Sequence, residues 1–375
     1  RFDEVAGTLH PTSVGRIASR YYLGHETIAI FATRLRNGIR EADALDCMSR
    51  ATDFAQIPLR DSEEDELTGL QERVPCQVPG GTATAPGKVN ILLQAHISHL
   101  FIEDFALVSD ARYVAQNAGR VLQALFELSL DRGFATAASA FLNLAKSVDK
   151  CVWPFEHPLR QYPTLNADII HRITMYADDL EVSQVRALPR AALASLLRVN
   201  ERVAGIVQDA AERFPAIDMT VRARPLPGDV CRLDIALRRA FTWDERLHGA
   251  TLPIVVWVEN AAHHVVYSDR VALRPTPQPT GAAPKYADIQ FCVYVPCADP
   301  TEQDARESAY SVAWASLLWL GADGSVTVPL DEVLCPPMPP MARLRELPLL
   351  SLRDVFSEAL AEAYASIAHV RTLNA

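Results

Sequence analysis

At 375 residues the chain is too long for one ordinary core, and two or three domains is the fitting number. Hydrophobic residues at 49% against 22% charged describe an ordered, soluble protein, and a formal net charge of -10 excludes a basic glove for nucleic acid over the whole surface while leaving room for a local groove. Seven scattered cysteines without a CxxC pair exclude a zinc knuckle or redox motif. Their odd number and the absence of a signal-peptide pattern imply a reducing compartment, and no apolar run approaches the roughly 18 residues that a spanning helix needs. The first residue is Arg1 and not Met, so a segment of something longer is expected.

From Val14 to about Leu159 the signals are helical. Ser13 is placed to cap a helix through GRIASRYY, and His25 to Leu35 repeats apolar residues at Ile28, Phe31 and Ala32. The acidic run DSEEDELTGLQERV sets Asp61 to Asp65 in a first helical turn, where a solvated set of acids meets the positive end of the dipole. PCQVPGGTATAPG then reads as a flexible loop, followed by a helix from Lys88 to Leu100.

The stretch YVAQNAGRVLQALFEL, Tyr113 to Leu128, is two-faced. At 100° per residue, Gln116, Asn117, Arg120, Gln123 and Glu127 fall within about 120°, and Val114, Ala118, Val121, Leu122, Leu125 and Leu128 fill the other side. Such a row on an isolated helix ordinarily faces bulk water, but a freely solvated face usually carries Glu, Lys and Asp, so amides with a single Arg make a groove-lining face the sharper alternative. Ala135 to Val152 gives the next helix, and close elements on short links predict an all-α helical bundle over residues 1–160.

NADIIHRIT, VSQVRAL and PRAALASLLRVNERVAGIVQDAAERF give three helical patterns and a small helical module at 161–215, with Pro189 suited to a first turn. After Pro215 the period becomes two. Seven short runs, from MTVRARP to SVTVPL, predict an antiparallel β-sandwich at 216–333. Residues 334–375 read as a Pro-rich connector and a C-terminal helix docked on the rest. The expected fold class is therefore multi-domain α+β.

Enzyme chemistry finds little support. GGTATAPGKV has one residue too many between Gly81 and Gly87 for a phosphate loop, and Val89 stands where a magnesium-binding hydroxyl is required. Asp244, Glu245 and His248 read as a structural turn beside a packed Trp243. His263 and His264 are expected in an exposed turn, and His96 and His99 lack the acidic companion of a metal helix. No nucleophile elbow or Cys/His dyad emerges.

VGRIASRYYLGHETIAIF, KVNILLQAHIS, DFALVSDARYVAQNAGRVLQALFEL, LNLAKSVDKCVWPFEHPLRQY, FTWDERLHG and VVWVEN together resemble the Sec sixty-three homology unit of Ski-two-like, superfamily two helicases with tandem cassettes. PCQVPGG, SDARYVAQNAGR and WPFEHPLRQ are similar to the activating signal cointegrator branch, linked to ribosome quality control and alkylation repair, whereas QERVP and LDRGFA are similar to the spliceosomal branch. The balance favours the former, and IAHVRTLNA departs from the family's usual phrase at the linker to a second cassette.

The resemblance implies a helical bundle, a helix-loop-helix module and a fibronectin-type or immunoglobulin-like sandwich, which together form a non-catalytic accessory unit of an ATP-dependent helicase, with no cofactor in this segment and ATP and Mg in the motor domains of the parent. Its implied partners are single-stranded RNA or DNA, the parent's own motor domains and other subunits of a large complex, either ribosome quality control or spliceosome, with no membrane and an intracellular location, cytoplasmic or nuclear. The long helix near 110–132 is implied to act as a ratchet, with Gln116, Asn117, Arg120 and Gln123 on the nucleic acid and Lys150 and Arg160 as secondary candidates. Gln123 and Cys151 stand where relatives are basic, which lowers the implied positive charge. A purely protein-binding scaffold, with partners on the sandwich and the acidic surface, is the alternative.

Overall fold

The computed structural model describes residues 2–3, 7–275, 289–297, 309–330, 333, 335–336, 350–352, 356–368 and 372–373. The chain divides into two compact units, Arg1–Cys335 and Pro336–Ala375. The larger opens on a short antiparallel pair, β1 (Phe2–Asp3) and β2 (Thr8–Leu9). Seven helices follow: α1 (Ser13–Arg20), α2 (His25–Arg34), α3 (Glu41–Ser49), α4 (Glu64–Gln71), α5 (Ala85–Ile97), α6 (Phe105–Asp131) and α7 (Ala135–Lys150). Then come α8 (Ala167–Tyr176), α9 (Val182–Ala187), α10 (Arg190–Leu197) and α11 (Glu201–Arg213).

Three local expectations need correction. Thr12, and not Ser13, caps α1 by accepting from the Gly15 amide at 3.0 Å, while Ser13 donates to Asp131 at 2.9 Å. The acidic run is not wholly solvated: Glu63 ends a 3-10 turn (Asp61–Glu63), is buried, and meets the fully buried Lys88 ammonium at 2.5 Å. Lys88 also reaches Asp110 and the Pro58 carbonyl, each at 2.8 Å, because a charge removed from water must be surrounded by partners. PGGTATAPG is a helix-capping corner and not a loose loop. Thr84 caps α5 through the Gly87 amide, and a Cβ on Gly87 would stand 1.9 Å from the Gly81 carbonyl oxygen.

The helical pattern of residues 189–214 is also broken into two helices. Arg198 takes a left-handed conformation at φ 56°, and Asn200 caps α11 through the Val203 amide at 2.9 Å. Pro189 is the N-cap residue of α10 and not its first helical residue.

Seven strands build the sandwich: β3 (Ile217–Leu226), β4 (Val230–Arg239), β5 (Leu252–Asn260), β6 (Val265–Leu273), β7 (Ile289–Pro296), β8 (Ala309–Ser316) and β9 (Asp323–Pro329). They form two antiparallel sheets in the orders β3-β4-β7 and β6-β5-β8-β9, and a short helix α12 (Glu245–His248) precedes β5. The mixed α+β fold of bundle and sandwich thus follows the period change in the sequence.

Strand β5 is nearly apolar throughout because both of its faces are covered. Val255 and Trp257 join the core of the bundle, whereas Ile254, Val256 and Val258 join a second core shared by the sandwich and α8 to α11. Arg186 fastens the latter, donating to the carbonyls of Ala211, Phe214 and Ala240 at 2.8 to 3.0 Å. In the second unit, β10 (Leu350–Ser351) pairs with β11 (Thr372–Leu373) around α13 (Glu358–Ala368).

Candidate nucleic-acid interface

Asp104 caps α6 by accepting from the Leu107 amide at 2.9 Å, and Leu107, Ala111, Val114, Ala118, Val121 and Leu125 hold its apolar back in the bundle. The polar front divides in two. Arg120 turns toward α1 and α2: its guanidinium meets the Asp53 carboxylate at 2.6 Å, the Asn117 side-chain oxygen at 3.2 Å, and the Tyr21 and Tyr22 carbonyls. Asn117 donates to the Tyr113 carbonyl at 2.9 Å. Glu127 is buried, taking Arg20 at 3.0 Å, the Tyr21 hydroxyl at 2.7 Å and Arg270 of β6 at 2.5 Å.

Gln116 and Gln123 are exposed, and with Gly119 and Arg120 they form one wall of a groove of about 560 Å³. Ala145, Lys146, Val148 and Asp149 of α7 complete the lining together with His96 and with Leu317 and Leu318 of the sandwich. A Cβ placed on Gly119 would meet nothing within 4 Å, so the space beside this wall is open there. Asn117 does not line this groove.

A second hollow of about 610 Å³ continues the first, sharing His96, Ala115 and Gln116 and adding Phe101 and Arg112. Phe101 is 75% exposed, and Arg112, also exposed, has no ion pair among the described residues. The resulting trough runs along α6 on Arg112, Gln116, Gly119 and Gln123, an i, i+4, i+7, i+11 stripe within about 60° on the helix wheel. That spacing could have been read from the sequence, but Gly119 offers no polar side chain and Arg112 lies before the row's first amide.

Lys146 is the other cation that sequence reasoning missed. Only 3% exposed, it lines the groove, and its Nζ has no hydrogen-bond partner. Burial pulls its ammonium down from 10.5 to about 8, with the Asp323 carboxylate pulling the other way. From the sequence it passes for an ordinary surface residue of α7. The secondary candidates are not in the trough: Lys150 pairs with Asp149 at 3.0 Å, and Arg160 with Glu156 at 2.8 Å.

The fold does bring Cys151 within 3.4 Å of His96 Nε2, a juxtaposition that residue spacing hides. Burial and the Asp149 carboxylate push the Cys151 thiol up, away from the thiolate that a nucleophile needs. His248 is buried against Phe241, Trp243 and Trp319 and bonds the Arg213 carbonyl at 2.9 Å, while Asp244 caps α12, as a structural turn requires. Among the described residues no group of three His, Cys, Asp or Glu is placed to hold a metal, and no helix is long and apolar enough to cross a membrane.

Residues 11–329 match the family model of the Sec63 Brl domain. The chain belongs to the Sec63 Brl domain family. Among its relatives it is 30% identical over 367 residues to activating signal cointegrator 1 complex subunit 3 of Dictyostelium discoideum, and 28% over 366 residues to the U5 small nuclear ribonucleoprotein 200 kDa helicase of Homo sapiens. A DExH-box ATP-dependent RNA helicase of Arabidopsis thaliana is 28% identical over 367 residues. Each alignment takes 96% of this chain but 16% of the relative, so this Sec63 Brl chain spans about one sixth of the length of the curated relatives it matches.

Proposed function

We propose that this Sec63 Brl chain is a non-catalytic accessory unit of an ATP-dependent helicase, and that single-stranded nucleic acid runs along the α6 trough. The carrying observation is the open stripe Arg112, Gln116, Gly119 and Gln123 facing the buried, unpartnered Lys146. Amides and a few cations bind a sugar-phosphate backbone without reading bases, and Phe101 offers a face on which any base can stack. With Arg120 held by Asp53, few free charges remain, and a weakly held strand can move on when a motor pulls it.

In this reading ATP and magnesium act in motor domains outside this chain, and the parent assembles with other subunits of a ribosome quality control or DNA repair complex. A spliceosomal parent is the second reading, supported by the 28% identity to the U5 helicase. Crosslinking of a thiouridine-substituted single strand to the full-length protein tests the path. Adducts at Arg112, Gln116 or Gln123 are expected; adducts confined to surfaces away from α6 and α7 refute it.

A further inference from the structure

The outer face of the β3-β4-β7 sheet has a charge pattern that strand guidance does not use. Cys231, Leu233, Ile235 and Leu237 of β4 point into the sandwich core, so the alternate residues point outward. Strand register aligns these in four rows: Asp218 with Arg238; Thr220 with Ala236 and Gln290; Arg222 with Asp234 and Cys292; Arg224 with Arg232 and Tyr294. Together they line much of a hollow of about 580 Å³, with exposed Tyr294 just beyond its end.

Four arginines against two aspartates make this face basic on a chain of net charge -10. Asp234 is occupied, holding Arg224 at 2.8 Å and Arg232 at 2.7 Å. Arg222 and Arg238 are exposed and have no ion pair among the described residues. They stand two rows apart, about 13 Å along the strand direction, across the low floor of Thr220 and Ala236.

We propose that this face docks an extended acidic segment of a partner protein, two of whose carboxylates take Arg222 and Arg238. An extended peptide repeats its side chains on one face about every 7 Å, so acids four residues apart match the two guanidinium groups. Each carboxylate can be gripped by both arms of the fork. A peptide can also leave uncharged residues beside Asp218 and Asp234, whereas a nucleic acid carries a phosphate past each of them. Between the two arginines the floor of Thr220, Ala236 and Gln290 carries no ring for a base; Phe291 lines the hollow from the core-facing side of its strand and the exposed Tyr294 lies beyond Arg222 in the last row. This inference stands apart from the trough and does not rest on it.

The test uses the full-length protein and a labelled peptide with Glu at every fourth position and Ser between, read by fluorescence anisotropy, with the matching Lys/Ser peptide as control. Binding of the Glu/Ser peptide alone is expected, weakened at least about tenfold by R222E with R238E and by raised salt. Both side chains are exposed, so the double variant should lose only a few degrees of melting temperature to the Glu residues set opposite Asp218 and Asp234, and R222Q with R238Q, which lacks that repulsion, should melt with the parent and still lose the peptide. Absence of peptide binding, unchanged binding by the double variant, or displacement by oligouridylate at equal concentration each overturns the proposal, the last in favour of nucleic acid.

Discussion

Arg120 on α6 and Asp53 on the 3-10 turn after α3 form an ion pair at 2.6 Å that closes the bundle over the Tyr21–Tyr22 turn. From the sequence Arg120 reads as the one cation of the ratchet row, so that Arg120→Glu would slow unwinding more than it disturbs folding. The pair reverses that order. A Glu at 120 would face Asp53 and strand the Tyr21 carbonyl, and we expect a loss of about 2 kcal/mol or more in urea unfolding. Unchanged stability in Arg120→Glu would mean that the guanidinium is free for a ligand after all.

Gly119 separates function from folding more cleanly. Gly in a helix interior costs roughly 0.5 to 1 kcal/mol against a good helix former, and a Cβ here meets nothing. Gly119→Leu should therefore hold or raise the melting temperature while its side chain obstructs the trough. In the full-length protein we expect unwinding to fall severalfold with a normal fold. Full unwinding activity would move the strand off α6.

What the sequence made legible was periodic. The period of 3.6 behind Val114, Ala118, Val121 and Leu125 marked α6, and the period of two behind Cys231, Leu233, Ile235 and Leu237 marked β4. Partner choice across long separations was hidden: Asp53 lies 67 residues from Arg120, and Arg270 lies 143 from Glu127. A helix wheel tells which residues leave the apolar side but not which neighbour they then meet. Hence Glu127, grouped with the amides by angle, is covered by the sandwich, and Arg112 was left out.

Glu127 joins three elements, taking Arg20 of α1 and Arg270 of β6 on one buried carboxylate. Arg20 is 60% exposed and Arg270 44%, so each arm singly is screened and worth little, whereas loss of the carboxylate leaves both cations and the Tyr21 hydroxyl unmatched. Glu127→Ala should cost about 1 to 2 kcal/mol, since the two cations it leaves are open to water. Arg270→Ala should cost less, and the double variant should cost less than the two losses added together. Simple additivity in denaturant unfolding would show that the bundle and β6 are not coupled through this carboxylate.

Lys146 makes stability depend on pH in a direction that can be worked out. Its ammonium titrates at about 8 in the folded chain against an ordinary 10.5, so the folded state is the weaker proton binder. Below pH 8 both states hold the proton, and folding bears the whole cost of burying it. Between 8 and 10.5 the unfolded chain holds more protons, and stability rises with pH; above 10.5 the cost has gone. At about 1.4 kcal/mol per pKa unit, the cost at neutral pH is on the order of 3 kcal/mol. Lys146→Met keeps the stem's packing without the charge and should be the more stable protein at pH 7, with the difference closing toward pH 10.5. The groups nearby, Arg120, His96, Asp149 and Asp323, are the same in both proteins, so subtracting the two stability curves isolates Lys146. If a strand enters the groove and uncovers the buried Nζ, its phosphate offers the partner that the folded chain withholds. Binding of single-stranded nucleic acid to the full-length protein should then weaken in Lys146→Met, and the slope of log affinity against log salt should shrink by about one contact. A variant with raised stability and an unaltered salt slope would leave Lys146 an internal strain and no strand contact.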